Sequence, residues 1–494
     1  MEIVLTGIKA LIVLVAYLAG PPVLAWAMRD RAWLRRFFLF LIPCVLVRPP
    51  GNFTLQLYSI ETYRGHTKGF EFNFLEPLAL AFLLCSFLEK RSDKKLFVPG
   101  LFPYLALILM STLSVIAAEN QLYTLMAAAK FGKMIFLLVG VCNAIRETID
   151  VRWLLRGFAV ACVLLLGSCL YGRFVLGSFQ VSGWFEHQNP MAMWSYQIGL
   201  ILFAVTLARD TSWREGTLFF LGFGAAGLCI VLSVSRASLA AFGGGTVALL
   251  LVSLIRGVTP RRLVVLCLLS AGAGGVLFMA MDTLAHRFDS SEDSSPENDL
   301  RWILNKQSEA MLQDSPVWGQ GWNNFGIKNS RPEGREFSRL LEEWNANRGF
   351  AIVAEQYYAN PLTESHYWLI LAENGYGAFV LHILFLLLTL GWCLKGVWAF
   401  RRSFLGYLMI GLGVALAITY LHSTLERVLT QTKNLSTWFV LLGMLARLEL
   451  WRRGGWRPDT WDGKQQGNPG DERYGEPERP LPKPRKRKRT LALP

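Results

Sequence analysis

The chain has 494 residues, 53% of them hydrophobic and only 17% charged, with 32 Phe and 17 Trp. A soluble domain carries nearer a quarter charged residues. Long apolar runs recur here to about residue 450, which excludes a soluble enzyme, a disordered chain and a secreted disulfide scaffold. The formal net charge of +14 does not signify nucleic acid, because much of the basic charge sits in short loops between apolar runs and in the tail.

In chain order the apolar runs fall at 4–28, 37–47, 73–88, 97–117, 122–142, 154–176, 191–208, 215–234, 237–255, 262–281, 367–394, 403–421 and 435–450. Runs of this length read as membrane helices, whereas barrel strands would alternate over about ten residues. The fold class is therefore an all-α polytopic integral membrane protein with about 12–13 transmembrane helices and one large, partly helical periplasmic loop. The run at 37–47 is short, and the twelve-span alternative drops one run near the N-terminus. The first run has no basic flank ahead of it, so it reads as a span and not a cleaved signal.

Basic residues mark alternate short loops: Arg29, Arg31, Arg35 and Arg36; Lys90, Arg91, Lys94 and Lys95; Arg146, Arg152 and Arg156; Arg209 and Arg214; Arg256, Arg261 and Arg262; Lys395, Arg401 and Arg402. Cytoplasmic loops are enriched in Lys and Arg, so the N-terminus is expected outside and the C-terminus in the cytoplasm. The boundaries follow: N-terminal transmembrane helices over 1–281, a periplasmic loop over 282–366, C-terminal transmembrane helices over 367–450 and a basic cytoplasmic tail over 451–494.

The eight cysteines, at 44, 85, 142, 162, 169, 229, 267 and 393, all lie in apolar runs. No Cys-x-x-Cys and no Cys/His cluster is present, so neither a disulfide framework nor a zinc site is expected. Gly243, Gly244 and Gly245 read as a close helix contact. No internal repeat is visible, which counts against most transporter folds.

The segment 282–365 carries eight Lys/Arg and fourteen Asp/Glu. A loop this long must be structured or functional. Ser295-Pro296-Glu297 reads as a helix start, with Pro at the first helical position and an acidic first turn. Leu300, Ile303, Leu304 and Met311 then fall on one face. A second short helix is expected around 335–345. Between them, Trp318-Gly319-Gln320-Gly321-Trp322-Asn323-Asn324-Phe325-Gly326 reads as a Gly/Asn turn with aromatics. The tail, rich in Gly, Pro, Asp and Arg and ending in Lys483-Pro484-Arg485-Lys486-Arg487-Lys488-Arg489, is expected to be disordered. It would either touch anionic lipid or simply reinforce the topology.

A charged group inside a membrane span costs about 2.5–3.5 kcal/mol on insertion scales, so each needs a reason. Arg236, in Ser233-Val234-Ser235-Arg236-Ala237-Ser238, breaks the positive-inside pattern. It either snorkels to lipid phosphate or serves as a fixed cation for a phosphate-bearing substrate. Arg301 on the loop helix is either solvated and paired with Glu297 or Asp299, or part of the same site. His366 starts a helix directly after the loop. It either binds backbone or headgroup, or acts as a base near neutral pH. Glu426 lies in the outer turn before the last span, with Arg427 as its simplest partner. His187 and Asn189 lie in Gly183-Trp184-Phe185-Glu186-His187-Gln188-Asn189-Pro190, a turn that opens a helix. Lys130 and Lys133 share one helical face and are expected to face a polar cavity. His382 reads as a core histidine. By the charge rule Arg236, Arg301, His366 and Glu426 share the outer side, an arrangement suited to a lipid-linked diphosphate. No HExxH, no P-loop and no GxSxG elbow is present.

These segments, in this order and on this side, resemble the O-antigen ligase superfamily, which also holds O-antigen polymerases and bacterial protein O-oligosaccharyltransferases. The resemblance covers roughly 60–450. It rests on Gly183-x-Phe185-x-His187-x-Asn189-Pro190, Ser233-x-Ser235-Arg236-Ala237, Arg301-Trp302 with Pro316–Phe325, Glu364-Ser365-His366 with Glu373-x-Gly375, and Glu426. The family often has Asn after the His where this chain has Tyr367, and Gly377 stands a residue early.

The resemblance implies a bacterial inner-membrane enzyme that transfers a glycan from undecaprenyl diphosphate at the periplasmic face, with inversion. Its catalytic residues would be His366 as base, Arg236 and Arg301 on the diphosphate, and Glu426 as the group that orients them. His187, Asn189, Lys130, Lys133 and Trp322 would contact substrate. No metal and no cofactor is required, because guanidinium groups neutralise the leaving group. The expected partners are the undecaprenyl diphosphate-linked glycan donor, a lipid A–core or growing glycan acceptor, and membrane lipids. The leading expectation is ligation of O-antigen to lipid A–core. A polymerase of the same superfamily is the alternative. A lipid-linked oligosaccharide flippase or exporter is the non-enzymatic one, disfavoured because the cations gather at one face. A metal-dependent oligosaccharyltransferase would need acidic pairs in the first outer loop, which offers only Glu61 and Glu71.

Overall fold

A computed structural model describes residues 2–48, 54–60, 63, 65–89, 95–270, 296–330, 362–401 and 403–454. All of these lie in one compact unit, Met1–Arg457. Helix dominates. The first elements are α1 (Glu2–Leu18), α2 (Gly20–Arg29), α3 (Ala32–Leu46), α4 (Leu75–Leu88) and α5 (Leu101–Leu113). Then come α6 (Gln121–Gly132), α7 (Met134–Ala144), α8 (Thr148–Leu170), α9 (Gln188–Thr206), α10 (Trp213–Ser233) and α11 (Arg236–Ile255). A further helix, α12, covers 260–270. The last are α13 (Pro296–Asp314), α14 (Phe325–Ser330), α15 (His366–Phe400), α16 (Phe404–His422) and α17 (Thr432–Arg453).

Every apolar run read from the sequence contains helix, and the chain is an all-α polytopic membrane protein. Seven described helical stretches are long and apolar enough to cross a membrane. Other runs are shorter or more polar for a physical reason. Helix α9 is buried along its whole length from Pro190 to Thr206. It packs on α10, α11 and α16, so it meets protein on all sides and needs no continuous apolar surface. Two hydrogen bonds tie it to α17: Trp194 donates through Nε1 to Thr437 Oγ1 at 2.9 Å, and Asn434 Nδ2 donates to the Pro190 carbonyl at 3.2 Å. Of the glycine triplet, only Gly245 makes the close contact, since a β-carbon there would lie 2.7 Å from Leu200 and Ile418.

The sequence reading did not foresee the two-stranded antiparallel hairpin of β1 (Thr54–Ser59) and β2 (Gly69–Asn73), which pairs Leu55 with Phe72 and Gln56 with Glu71. At one end of the bundle, ion pairs tie the helices together. Arg35 and Arg36 reach Asp150 at 3.4 and 2.9 Å. Glu215 holds both Arg152 and Arg156. The hairpin, α13 and the starts of α9, α11, α15 and α17 build the opposite end.

Helix α13 begins at Pro296 and buries Ile303, Leu304 and Met311, as its spacing predicts. Ser295, the expected helix near 335–345, the second half of the run to 281, Glu61 and the tail from 455 lie outside the described residues.

Candidate functional site

The site is built where α15 breaks. Gly375 interrupts that helix at φ 72° and ψ −175°. A helix broken in this way exposes carbonyls that must be satisfied. The Gly319-Gln320-Gly321 turn meets this need: Gln320 N–H donates to the Ala372 carbonyl at 2.8 Å, and Gly321 N–H to that of Glu373 at 2.9 Å. Tyr376 N–H in turn donates to the Pro316 carbonyl at 2.9 Å. The glycines are required, because a β-carbon on Gly319 would lie 2.4 Å from the Glu373 backbone.

The next residues clamp this turn to the hairpin. Asn323, at φ 61°, donates through Nδ2 to the Thr67 carbonyl at 2.8 Å and accepts from Thr67 N–H at 3.2 Å. Tyr63 donates its hydroxyl to the Asn323 carbonyl. Glu373 accepts from Phe325 N–H at 3.2 Å and lies 3.1 Å from His66 Nε2. Trp322 is buried, with its N–H on Ser114 Oγ at 2.8 Å and its ring on Phe131.

Three cavities open around this assembly. The first, about 340 Å³, is lined by Arg236, Arg301, His187, Asn189, Glu364, His422 and Glu426 among others. The second, about 550 Å³, is lined by His66, Lys68, Lys130, Arg427, Lys433 and Glu186, and again by His187, Asn189, Glu364 and Glu426. The third is only about 40 Å³ and is lined by His66, Trp322, His366, Glu373 and His382. A volume of that size holds water and no sugar ring.

The four candidate catalytic residues therefore divide. Arg236, at the first position of α11, is exposed to the 340 Å³ cavity and has no carboxylate partner among the described residues. Arg301 faces it from α13, with its Nε on Glu364 and an Nη nitrogen 3.4 Å from Glu426 Oε1. Glu426 also accepts from Asn189 Nδ2 at 2.7 Å. Burial and the neighbouring Glu364 carboxylate push its carboxyl up to about 7, against the pull of Arg301 and Arg427. His366 is buried apart from them on the smallest cavity. Its backbone N–H donates to the Ser423 carbonyl at 2.9 Å, and its Nε2 lies 3.2 Å from His382 Nε2.

Of the other candidates, His187 caps α9, its Nδ1 accepting from Asn189 N–H at 3.4 Å. Lys130 donates to the His66 carbonyl at 2.9 Å and lines the 550 Å³ cavity. Lys133 instead pairs with the fully buried Glu76 at 3.1 Å.

The sequence reading missed His66 and gave Arg427 only as a partner for Glu426. The hairpin that carries His66 was detectable in the alternation of Leu55, Leu57, Phe70 and Phe72. Arg427 had no such signal. Burial lowers the pKa of its guanidinium, and among the described residues it forms no ion pair. Among the described residues no three His, Cys, Asp or Glu side chains gather as metal ligands.

Fold and site together define a multi-pass, all-α membrane protein with adjoining polar cavities at one end of its bundle. Residues 221–348, which include Arg236 and Arg301, match the family model described as O-Antigen ligase. The match supports the O-antigen ligase superfamily for this chain, a family of ligase- or polymerase-type glycosyltransferases. No curated protein matches the chain.

Proposed function

We propose that the chain is an O-antigen ligase-type glycosyltransferase of the bacterial inner membrane. It moves a glycan from undecaprenyl diphosphate to a hydroxyl of lipid A–core at the periplasmic face, with the C-terminus in the cytoplasm. One observation carries the reading: Arg236 and Arg301, from separate helices, line the same cavity of about 340 Å³. Guanidinium groups bind phosphate oxygens in a fork. Two of them neutralise the charge that develops on a departing diphosphate, so the reaction needs no metal in this reading. The adjoining cavity of about 550 Å³ takes the acceptor. Single displacement across their common wall inverts the anomeric centre. Lys130, His187 and Asn189 contact the glycans, and Trp322 and Lys133 support the cavity walls from behind.

The test uses purified protein with undecaprenyl diphosphate-linked glycan, with and without lipid A–core. Products are resolved by gel and mass. Glycan on lipid A–core is the expected result. A lengthening ladder on the carrier would make the protein a polymerase of the same superfamily. No product beside an active control would favour transport of the lipid-linked glycan.

A further inference from the structure

We propose that Glu426 is the general base of the transfer, taking the proton of the acceptor hydroxyl where the two larger cavities meet. The proposal rests on the transferase reading above.

Its first ground is position. A base must touch the acceptor hydroxyl while that oxygen reaches the anomeric carbon beside the diphosphate. It must therefore stand where the donor and acceptor volumes adjoin. Four of the residues lining those volumes belong to both: His187, Asn189, Glu364 and Glu426. Asn189 cannot accept a proton at neutral pH. The Nδ1 of His187 is engaged in capping α9. Glu364 is bound to Arg301 Nε through Oε2 and its side chain is 38% exposed, against 15% for Glu426, so water screens it and leaves it the weaker base. Glu426 holds Asn189 and Arg301 through Oε1 alone, and among the described residues its Oε2 accepts no hydrogen bond.

The second ground is the place of the histidines. His366 and His382 face the cavity of about 40 Å³, which admits no sugar. His422 lines only the donor cavity, with its ring stacked on Tyr196. His66 is bound to Glu373 and Thr67.

The step balances without a further reactant. The Glu426 carboxylate takes the hydroxyl proton, and the oxygen's electron pair forms the bond to the anomeric carbon. The bond from that carbon to the diphosphate oxygen breaks, and its pair leaves with the lipid diphosphate, whose charge Arg236 and Arg301 meet. The groups that face Glu426 are Arg301 from α13, Glu364 ahead of α15, Arg427 beside it, His187 and Asn189 at the start of α9, His422 at the end of α16 and Arg236 at the start of α11. Burial, with Glu364 and against the pull of Arg301, Arg427 and Asn189, leaves the carboxyl near the pH at which a general base works best.

The experiment measures kcat/KM against pH, from 5 to 9, for the full-length protein and for Glu426→Gln, Glu426→Asp and His366→Asn. Each variant is first checked for monodispersity and thermal stability. The expected wild-type profile falls ~10-fold per pH unit below about 7. Glu426→Gln should lose on the order of 100-fold and lose the acid limb, with its donor KM little changed. Glu426→Asp should keep part of the rate with a displaced limb, and it decides the matter if Glu426→Gln does not fold. An acid limb that persists in Glu426→Gln, or one that vanishes in His366→Asn, overturns the assignment. The first outcome would make Glu426 a positioning residue for Arg301. A wild-type preparation that transfers nothing overturns the transferase reading, and the base with it. Wild-type turnover with an unchanged Glu426→Gln profile overturns the base alone.

Discussion

Gly375 stands so close to Val317 that a β-carbon on it would lie 2.3 Å from the Val317 carbonyl oxygen. This contact joins the break in α15 to the turn that follows α13. Gly375→Ala meets backbone on one side and an unfavourable positive φ on the other. It should cost about 1–3 kcal/mol and lower the thermal midpoint in detergent. Gly377→Ala is the control, because its β-carbon would meet only the mobile end of Met110. Equal midpoints for the two variants would refute the close-contact account.

Asn323 connects the same turn to the hairpin through two side-chain hydrogen bonds to Thr67. Removing a buried partner leaves the other groups unsatisfied, at about 1–3 kcal/mol. Asn323→Ala should therefore make the segment around residue 323 sensitive to limited proteolysis at temperatures where the wild type resists. A proteolytic pattern identical to the wild type would show that the hairpin is held by other contacts.

Arg236 and Arg301 should respond differently to lysine. Arg301 is already fixed by Glu364 and Glu426, so Arg301→Lys loses both the fork to phosphate and that pairing. A loss on the order of 100-fold in kcat/KM is expected, mostly in kcat. Arg236 is exposed and unpaired among the described residues. Arg236→Lys should lower kcat/KM by about tenfold, the loss of a bidentate contact. Wild-type kinetics in Arg236→Lys would mean that Arg236 snorkels to lipid.

Glu426 also links stability to pH. Its folded pKa of about 7 lies above the ordinary carboxylate value. The folded state therefore binds more protons than the unfolded state between about pH 4.5 and 7, and stability contributed by this group falls as pH rises through that window. Glu426→Gln keeps the neutral form at every pH. It should match the wild type near pH 5 and melt at a higher temperature near pH 8. A constant difference across that range would place the carboxyl at its usual value.

The fold was largely legible in the chain. Apolar runs specify helices because no other open structure satisfies its backbone in lipid, and each run read from the sequence contains helix. The buried face of α13 was legible for an equally local reason, since helical spacing is written within a few residues. The hairpin was overlooked because its strands are short and flank a polar turn.

The site was legible only as a set of residue types on one side. Whether a charged side chain meets a cavity, an ion pair or another helix depends on residues that lie from tens to more than two hundred positions away. Lys130 and Lys133 read as one helix face in the sequence, yet Lys133 falls at the turn between α6 and α7 and pairs with Glu76, while Lys130 lines the 550 Å³ cavity. Glu426 gathers Asn189 and Arg301 from separate helices, while His366, close to them in sequence pattern, turns toward His382. The sequence by itself determined the membrane class, the helices and the inventory of cations. Only the tertiary structure decided which of them share a volume, because cavities are made by packing between distant segments and leave no periodic trace along the chain.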